Sequence, residues 1–264
     1  MSTIAGTGRD DYLDFCEGVR RLCTIDLTQY KRTQMERRIR GFAERRGIPV
    51  LADYLRRLGS DETELDCFLD RVTINVSQLW RNPSQWAVLA EQVVPDLARE
   101  GRIRAWSAGS SYGAEAYTLA AVLCEAAPSA RISIVGTDID RRMIALATAG
   151  EFNDNDARDA PPDQLERWFE RMPNGWRAGP RLRDVTRFEL GDLLRLRPRR
   201  DEFDLILCRN TVIYFTEEVR DALHARLAEA LRPGGYLLVG STERVANASE
   251  IALEAVHPFT YRKL

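Results

Sequence analysis

Four positions in the second half of the chain carry residue types suited to binding a nucleoside. Gly109 follows a predicted strand, IRAWSAG, and Glu115 falls in the first turn of the helix after it. Asp138 comes near the end of the next predicted strand, ISIVGTDID, and Asp192 follows a third, VTRFELGDL. Ligands of an open parallel sheet bind outside the carboxyl ends of its strands, so we expect these residues to face one ligand.

The loop Gly109-Ser110-Ser111-Tyr112-Gly113 indicates what that ligand is. Its glycines permit a tight turn, but the spacing is GxxxG rather than the GxGxxG of dinucleotide binders or the GxxxxGK(S/T) of phosphate loops. A carboxylate at Glu115 would repel a phosphate and attract a cation. Asp138 can bind both hydroxyls of a ribose, and Asp192 is placed for an adenine amino group. These features predict S-adenosylmethionine, which combines adenosine with a positive charge and has no phosphate.

Each carboxylate also has an ordinary structural explanation. Glu115 could complement the helix dipole, Asp138 could cap the next helix, and Asp192 could lie in a turn. Singly, the two interpretations are equally supported. Their occurrence at successive strand ends favours the cofactor.

The elements that must position these residues form two regions. From residue 11 to 69 the chain carries only helix signals, with apolar residues three and four apart, as at Met35, Ile39 and Phe42. From residue 102 strands alternate with helices, including the strand-like runs FDLILCRN and GYLLVGS, which predicts a parallel sheet covered on both faces. Residues 152–184 fit neither pattern, and there we predict a short helix, QLERWFERM, and a small hairpin turning at Ala178-Gly179-Pro180.

Composition excludes several classes of protein. The chain has 264 residues, with 38 basic and 40 acidic side chains and a net charge of −2, so nucleic acid is not an expected partner. Five cysteines without a CxxC motif and only two histidines indicate no disulfide framework and no metal site. No run approaches the roughly 18 apolar residues of a membrane span, and the polar start is unlike a signal peptide. We therefore expect a cytoplasmic protein that does not insert into membranes.

Five segments together resemble one known family. They are FDLILCRNTVIYF, NVSQLWRNP, SAGSSYGAEAYTLA, LRPGGYLLVGSTE and YKRTQMERRIR, and the resemblance as a whole extends from about Tyr12 to Lys263. In this combination and order the chain resembles the chemotaxis receptor glutamate methyltransferases, the CheR family. The resemblance implies a Rossmann-like class I S-adenosylmethionine-dependent methyltransferase domain over residues 88–264. A small all-helical domain over residues 1–74 and a linker over 75–87 that contributes to the cofactor site would precede it, with a small β-hairpin insertion in the larger domain.

The resemblance also implies a reaction, the methylation of chemoreceptor glutamates to γ-methyl esters in chemosensory adaptation. It places Arg81 and Tyr214 at the substrate carboxylate. Beside Gly109, it gives these contacts with S-adenosylmethionine: Asn75, Ser77, Arg81, Glu115, Asp138, Asp192, Leu193, Arg209 and Asn210.

This reaction needs no general base, because a carboxylate with a pKa of about 4.3 is already ionised at neutral pH. The enzyme must instead position the two reactants and exclude water from them. Arg81 and Tyr214 could hold one carboxylate oxygen through charge-assisted hydrogen bonds. The alternatives are a surface salt bridge for Arg81 and a core aromatic for Tyr214.

The sequence departs from the family pattern at a few positions. Ser77 replaces threonine, Ala114 and Ala116 replace a glutamate and a proline, and Asp192 replaces the more usual asparagine. Three alternatives therefore stay open: a catalytically weak member that binds S-adenosylmethionine or a receptor, a methyltransferase for another carboxylate or a small molecule, and a nicotinamide-dependent oxidoreductase.

A basic segment near the N-terminus gives the partner prediction. Seven basic and two acidic residues lie between Tyr30 and Arg46, and Lys31, Arg38 and Arg45 recur seven apart along one helix face. This face is either solvated or a docking surface for the acidic helices of a chemoreceptor. We expect a monomer. Some family members bind a receptor's C-terminal pentapeptide through their β-subdomain, a property that the sequence leaves open for residues 176–187.

Overall fold

The computed structural model describes residues 10–23, 25–73 and 76–264. The chain divides into two compact units. The helical unit is Met1–Ile74 with Tyr214–Thr216, and the sheet unit is Asn75–Ile213 with Glu217–Leu264.

The helical unit packs around aromatic side chains. Its helices are α1 (Asp11–Cys23), α2 (Arg32–Arg45), α3 (Leu51–Ser60) and α4 (Glu62–Thr73), with a 3-10 helix at Leu27–Gln29. The rings of Phe15, Tyr54 and Phe68 lie 5.9 to 6.2 Å apart, centroid to centroid, and all three are buried. Met35 and Ile39 of the predicted apolar stripe are buried as well. The prediction of an all-helical N-terminal region is confirmed.

A short segment from far along the chain belongs to this helical unit. Tyr30 forms an isolated antiparallel bridge with Phe215, and their rings lie 5.1 Å apart. The backbone N–H of Lys31 donates to the Tyr214 carbonyl at 2.9 Å, and that of Thr216 donates to the Gln29 carbonyl at 3.0 Å. These bonds on either side of Phe215 fix the backbone of Tyr214–Thr216 in the helical unit.

The sheet unit is built on a seven-stranded sheet. The strands of the whole unit, including those of a second, smaller sheet, are β1 (Arg102–Ala108), β2 (Arg131–Asp138), β3 (Glu151–Phe152), β4 (Phe169–Met172), β5 (Gly175–Ala178), β6 (Thr186–Leu190), β7 (Phe203–Cys208), β8 (Leu231–Val239), β9 (Leu253–His257) and β10 (Thr260–Lys263). The large sheet has the order β6-β2-β1-β7-β8-β10-β9. The first five strands in this order are mutually parallel, which confirms the predicted sheet, whereas β10 runs antiparallel to β8 and β9. The C-terminal pair β9 and β10 is an addition to the predicted sheet.

Helices cover this sheet, and their composition explains how closely they pack. They are α5 (Pro83–Val88), α6 (Val94–Ala98), α7 (Ala114–Ala126), α8 (Arg141–Ala149), α9 (Pro162–Trp168), α10 (Pro180–Val185) and α11 (Glu217–Ala230), with a π-helix at Leu89–Val93 and 3-10 helices at Val212–Tyr214 and Ala248–Ile251. Every residue of β7 is buried, and so are the first eleven residues of α7. The alanines of α7 let its backbone approach the sheet closely, as expected for a strand and helix buried on all sides.

The irregular segment contains a second sheet, in the order β3-β5-β4. The predicted hairpin exists, but its predicted turn was wrong: the chain reverses at Pro173-Asn174, between β4 and β5. Pro180 instead begins α10, where its fixed φ suits the first helical turn. The predicted helix QLERWFERM is also wrong in its second half, since Phe169–Met172 is strand β4. Proline and asparagine both favour turns, so the pair Pro173-Asn174 is a turn signal in the sequence as well.

Candidate functional site

The loops after β1, β6 and β7 meet at Gly109. Its φ is +82°, and a Cβ atom there would lie 2.7 Å from Thr211 Oγ1 and 3.5 Å from Leu193 Cδ1. At the start of α7, Gly113 has a φ of +89°, and its Cβ would lie 2.9 Å from the Cβ of Ala147. Both positions require glycine for conformation and for space. The carboxyl ends of three strands therefore converge on the glycine turn.

Asp138 joins the glycine turn to the end of β2. Its carboxylate accepts the backbone N–H of Ser111 at 2.8 Å and that of Asp140 at 3.0 Å. Burial raises the pKa of Asp138, and these hydrogen bonds oppose that rise. The N-cap of α8 is Asp140, which accepts from the N–H groups of the first helical turn. The capping explanation thus applies to Asp140, and the Asp138 carboxylate, which also bonds to the N–H of Ile139, keeps acceptor capacity for a further donor.

Glu115 is a buried carboxylate with both oxygens engaged. It accepts the hydroxyl of Ser107 at 2.8 Å and Nη1 of Arg209 at 3.2 Å. Burial raises the pKa of Glu115, while the Arg209 guanidinium acts in the opposite direction. The charge that the sequence analysis assigned to a cationic ligand is therefore already balanced by a cation of the protein.

Arg209 ties the end of β7 to the segment around α5. Its guanidinium donates to the Gln85 side-chain oxygen at 2.7 and 3.0 Å and to the Arg81 carbonyl at 2.7 Å. It also lies 5.0 Å from the ring centroid of Trp86. The Gln85 amide in turn donates to the Val239 carbonyl at the end of β8. Sequence reasoning missed Gln85, since nothing in its spacing distinguishes a buried glutamine from a solvated one.

Residues 76–82 are held against the loop after β3 and against α7. The Tyr112 hydroxyl bonds to the Ser77 carbonyl and lies 3.0 Å from Asp156 Oδ1. The Arg81 side chain donates to the Val76 carbonyl at 2.8 Å and makes no ion pair with any residue in the described part of the chain. The salt-bridge alternative for Arg81 is therefore not seen there. Asn75, a predicted cofactor contact, lies outside the described residues.

Asp192 and Leu193 have different surroundings in the loop after β6. Asp192 accepts the N–H of Leu194 at 2.9 Å and pairs with Arg195 at 3.3 Å, which is the geometry of a turn residue. Leu193 is buried and lies against Gly109. Leu193 thus lies at the point of convergence, and Asp192 shapes the turn beside it.

Asn210 and Tyr214, the remaining predicted site residues, lie on either side of the boundary between the two units in the sequence. Asn210 has a left-handed φ of +58°, and its N–H donates to Glu243 at 2.9 Å. Tyr214 lies in the helical unit, is half-buried, and has the Arg38 guanidinium 5.9 Å from its ring centroid. The neighbouring Phe215 is the buried aromatic of this segment. Glu243 was missed, although the segment LRPGGYLLVGSTE that ends on it was singled out.

The predicted basic face is not uniform. Arg32 and Arg40, which neighbour it on α2, are neutralised by Asp10, Asp11 and Glu36. Arg38 is partly buried, with Nη1 3.4 Å from the Arg71 carbonyl. Arg45 is exposed and lies beside the ring of Phe42. Lys31 is exposed as well.

The glycine turn also contains a polar atom without a protein partner. Ser110 is 1% exposed, and its hydroxyl has no hydrogen-bond partner among the described residues. Together with the two left-handed glycines and Asp138, it fits a polar ligand that approaches the backbone at the end of β1.

Among residues 10–23, 25–73 and 76–264, no group of three or more His, Cys, Asp or Glu is placed to hold a metal ion. Within the same ranges, no helix has the length and apolarity of a membrane span.

The sheet order and the glycine turn define the class of protein: the sheet unit is a Rossmann-like, class I S-adenosylmethionine-dependent methyltransferase domain. Residues 75–258 match the model of the CheR methyltransferase SAM-binding domain, and residues 10–73 match that of the CheR methyltransferase all-alpha domain. The chain belongs to the CheR methyltransferase family, and its cofactor is S-adenosylmethionine.

Relatives match along most of the chain. A chemotaxis protein methyltransferase of Listeria innocua is 34% identical over 255 residues, covering 96% of this chain and 97% of that protein. Chemotaxis protein methyltransferase 1 of Pseudomonas aeruginosa is 31% identical over 237 residues, covering 85% and 86%. A solved S-adenosylmethionine-dependent methyltransferase of Mesorhizobium loti is 20% identical, with a TM-score of 0.31 over 57% of this chain and 54% of that one. The assignment rests on the family models and the close relatives.

Proposed function

We propose that this protein transfers methyl groups to glutamate side chains of chemoreceptors, forming γ-methyl esters in chemosensory adaptation. The observation that carries this proposal is the similarity to chemotaxis protein methyltransferases along both units, including 34% identity over 96% of the chain. The glycine turn supports it. Gly109 and Gly113 have left-handed φ angles that let a ligand approach the backbone, and Asp138 is a buried carboxylate beside them.

The departures from the family pattern bear on whether the protein is active. Ala114 and Ala116 are both 0% exposed and lie inside α7. Small apolar side chains suit that buried position, so the two alanines that stand in place of the glutamate and the proline fit the packing of the helix. Ser77 keeps the hydroxyl of threonine, and its carbonyl is held by Tyr112. These features favour an active enzyme over a catalytically weak binding protein.

In the proposed mechanism, bound S-adenosylmethionine supplies a methyl group carried on a sulfonium. Asp138 binds the ribose hydroxyls through the acceptor capacity that its backbone donors leave free. Leu193 packs against the base, and Asp192, Asn210 and Ser77 contribute polar contacts. Glu115 and Arg209 hold the walls of this site in place through their mutual hydrogen bond. Asn75 is proposed as a contact on the resemblance alone.

The substrate glutamate is ionised at neutral pH, so the side chains around it position it and remove no proton. We propose that Arg81 and Tyr214 hold one carboxylate oxygen and leave the other free to attack. Arg81 suits this task because no carboxylate of the described residues lies within ion-pair distance of its guanidinium. The Tyr214 hydroxyl can donate one hydrogen bond. Excluding water strengthens both contacts and raises the reactivity of the carboxylate.

The domain and partner predictions complete the proposal. We propose that residues 1–74 form the receptor-docking domain, that 75–87 contribute to the cofactor site, and that 88–264 form the catalytic domain of a cytoplasmic, monomeric enzyme. Docking would use Lys31, Arg38 and Arg45 against acidic receptor helices.

The docking proposal can be tested with Arg45→Glu, because Arg45 is exposed. The variant should raise KM for the receptor and leave cofactor affinity unchanged, whereas Arg56→Glu on α3 serves as the control for a charge reversal elsewhere on this unit.

Two measurements test the proposed function. Calorimetry with S-adenosylhomocysteine should give micromolar binding, about −8 kcal/mol. Receptor methylation with S-adenosylmethionine labelled in the methyl group should then give protein-bound label that alkali releases as methanol, because esters hydrolyse under those conditions. A receptor whose candidate glutamates are replaced by alanine is the control. Alkali-stable label would indicate methylation of nitrogen or sulfur and would refute the ester, and absence of nucleoside binding would favour a protein without catalysis.

A further inference from the structure

Glu243 is a buried carboxylate at the end of β8 that the mechanism above does not use. It is 3% exposed. Its Oε2 accepts the backbone N–H of Gly240 at 2.6 Å and that of Asn210 at 2.9 Å. Its Oε1 accepts the N–H of Val212 at 3.1 Å, and the N–H of Ile213 bonds to the same carboxylate. One side chain therefore satisfies four backbone donors from the ends of two neighbouring strands.

Three of these donors belong to the loop Arg209–Ile213, which we call the β7 loop. This loop leaves a sheet strand at Cys208 and contains Asn210 in a left-handed conformation, which non-glycine residues rarely adopt. Buried backbone N–H groups need an acceptor. In the described part of the chain, the Glu243 carboxylate is the acceptor for the N–H groups of Asn210 and Val212. Without it, these N–H groups would lose that acceptor, which would destabilise this conformation of the loop.

Gly240 makes the arrangement sterically possible. A Cβ atom at this position would lie 2.6 Å from Glu243 Oε2 and 2.8 Å from the backbone nitrogen of Asn210. Any other residue would push the carboxylate away from the β7 loop. The sequence Gly-Ser-Thr-Glu after β8 is therefore matched to Arg-Asn-Thr-Val-Ile after β7. The two strands are parallel neighbours, with Cys208 opposite Val239.

We propose that Glu243 is the positioning residue that fixes the β7 loop for cofactor binding and methyl transfer. It acts through the backbone of Asn210 and Val212. This inference rests on the proposed role of Asn210 at the cofactor. Glu243 sets the geometry of that contact while its own oxygens remain engaged with backbone N–H groups.

Glu243→Gln is the sharpest variant, because the side chain keeps its size but one acceptor oxygen becomes an NH₂ donor that faces other N–H donors. The matched control is Asp204→Asn. Asp204 is 2% exposed at the start of β7, accepts the backbone N–H of Arg104 at 2.6 Å and is salt-bridged to Arg104 and Arg232. Both changes remove a buried charge on or beside β7, but only the first concerns the β7 loop.

Calorimetry with S-adenosylhomocysteine, well below the melting temperature of each variant, separates positioning from stability. Glu243→Gln should raise Kd at least about tenfold, and Asp204→Asn should change it less than about twofold even if its melting temperature falls further. Glu243→Asp keeps both acceptor oxygens and should recover part of the affinity. Equal Kd values for the wild type and Glu243→Gln would overturn the proposal.

Amide hydrogen exchange on the wild-type protein tests the same contacts without any variant. The N–H groups of Asn210 and Val212 should exchange at least about a hundredfold more slowly than free peptide, because both are hydrogen-bonded to the Glu243 carboxylate. Rapid exchange at both positions would refute the proposal even if Glu243→Gln fails to fold. The two proposals can fail separately. A wild-type protein that binds S-adenosylhomocysteine but esterifies no receptor would refute only the proposed function. The role of Glu243 would still be tested by the Kd comparison among variants, which needs no substrate.

Discussion

Replacement of Glu115 by glutamine tests whether the buried pair with Arg209 holds the site together. The Arg209 side chain is only 2% exposed, and that of Glu115 is 11% exposed. Glutamine keeps the volume but leaves a buried guanidinium without a counter-charge, which Gln85 and backbone carbonyls offset only in part. Removing one partner of a buried pair typically costs 3–5 kcal/mol, and because of these other acceptors we expect the lower end, about 3 kcal/mol.

The control lies on the same helix. Glu125, near the other end of α7, pairs with Arg167 at 2.5 Å, but both side chains are more than a third exposed. Glu125→Gln should therefore cost less than about 1 kcal/mol, as exposed pairs do. Thermal and urea unfolding followed by circular dichroism would measure both variants. For a unit of this size, 3 kcal/mol lowers the melting temperature by roughly 6 to 12 °C.

Two outcomes would contradict this reasoning. A loss below about 1 kcal/mol for Glu115→Gln would mean that Arg209 needs no counter-charge, because its other acceptors suffice. Equal losses for Glu115→Gln and Glu125→Gln would mean that burial of the pair has no energetic consequence. The double variant Glu115→Gln/Arg209→Met is informative as well: it should be more stable than Glu115→Gln alone, since it removes the unpaired buried charge.

The other predictions concern the cofactor, the substrate and pH. Asp138→Asn should weaken S-adenosylhomocysteine binding about tenfold in calorimetry and also lower stability by about 1–2 kcal/mol, since Ser111 and Asp140 donate to different oxygens and the new NH₂ group would face one of these N–H donors; unchanged affinity would contradict the ribose assignment. Tyr214→Phe should lower kcat for receptor methylation with cofactor Kd unchanged, and wild-type kinetics would assign Tyr214 to packing alone. Burial lowers the pKa of His224 from 6.5 to about 4, so the unfolded chain takes up a proton before the folded one. The folded state therefore loses stability relative to the unfolded chain as the pH falls from 6.5 towards 4, by about 3 kcal/mol. In His224→Leu the free energy of unfolding in urea should depend less on pH over this range. An unchanged pH dependence would refute the assignment.

Strand ends could be predicted from the sequence because they depend on local patterns. Gly109, Glu115 and Asp138 follow buried apolar runs, and a parallel sheet brings the carboxyl ends of its strands to one edge. The predicted hairpin turn was wrong because Gly179-Pro180 and Pro173-Asn174 are both turn signals. Packing decides between them: a Cβ on Gly175 would clash with the Phe152 carbonyl at 2.0 Å, so β5 begins there against β3.

The partners of the charged residues could not be predicted from the sequence. Glu115 and Arg209 are 94 positions apart, and Glu243 and Asn210 are 33 apart, so no periodicity relates them. Their pairing depends on which strands become neighbours and on which loops close over the buried ends. The sequence also gives no sign that Asp140, rather than Asp138, caps α8, since both precede the helix by a few residues.

The sequence by itself determined the two regions, the parallel sheet and the chemistry at its strand ends, because hydrophobic periodicity and residue type act over a few positions. Tertiary structure alone decided how each charge is used. Glu115 balances Arg209, Glu243 fixes the β7 loop, and Asp138 retains acceptor capacity for a ligand. The physical reason is burial: a charged group in the interior must find its partner there, and only the folded chain determines which groups are buried together.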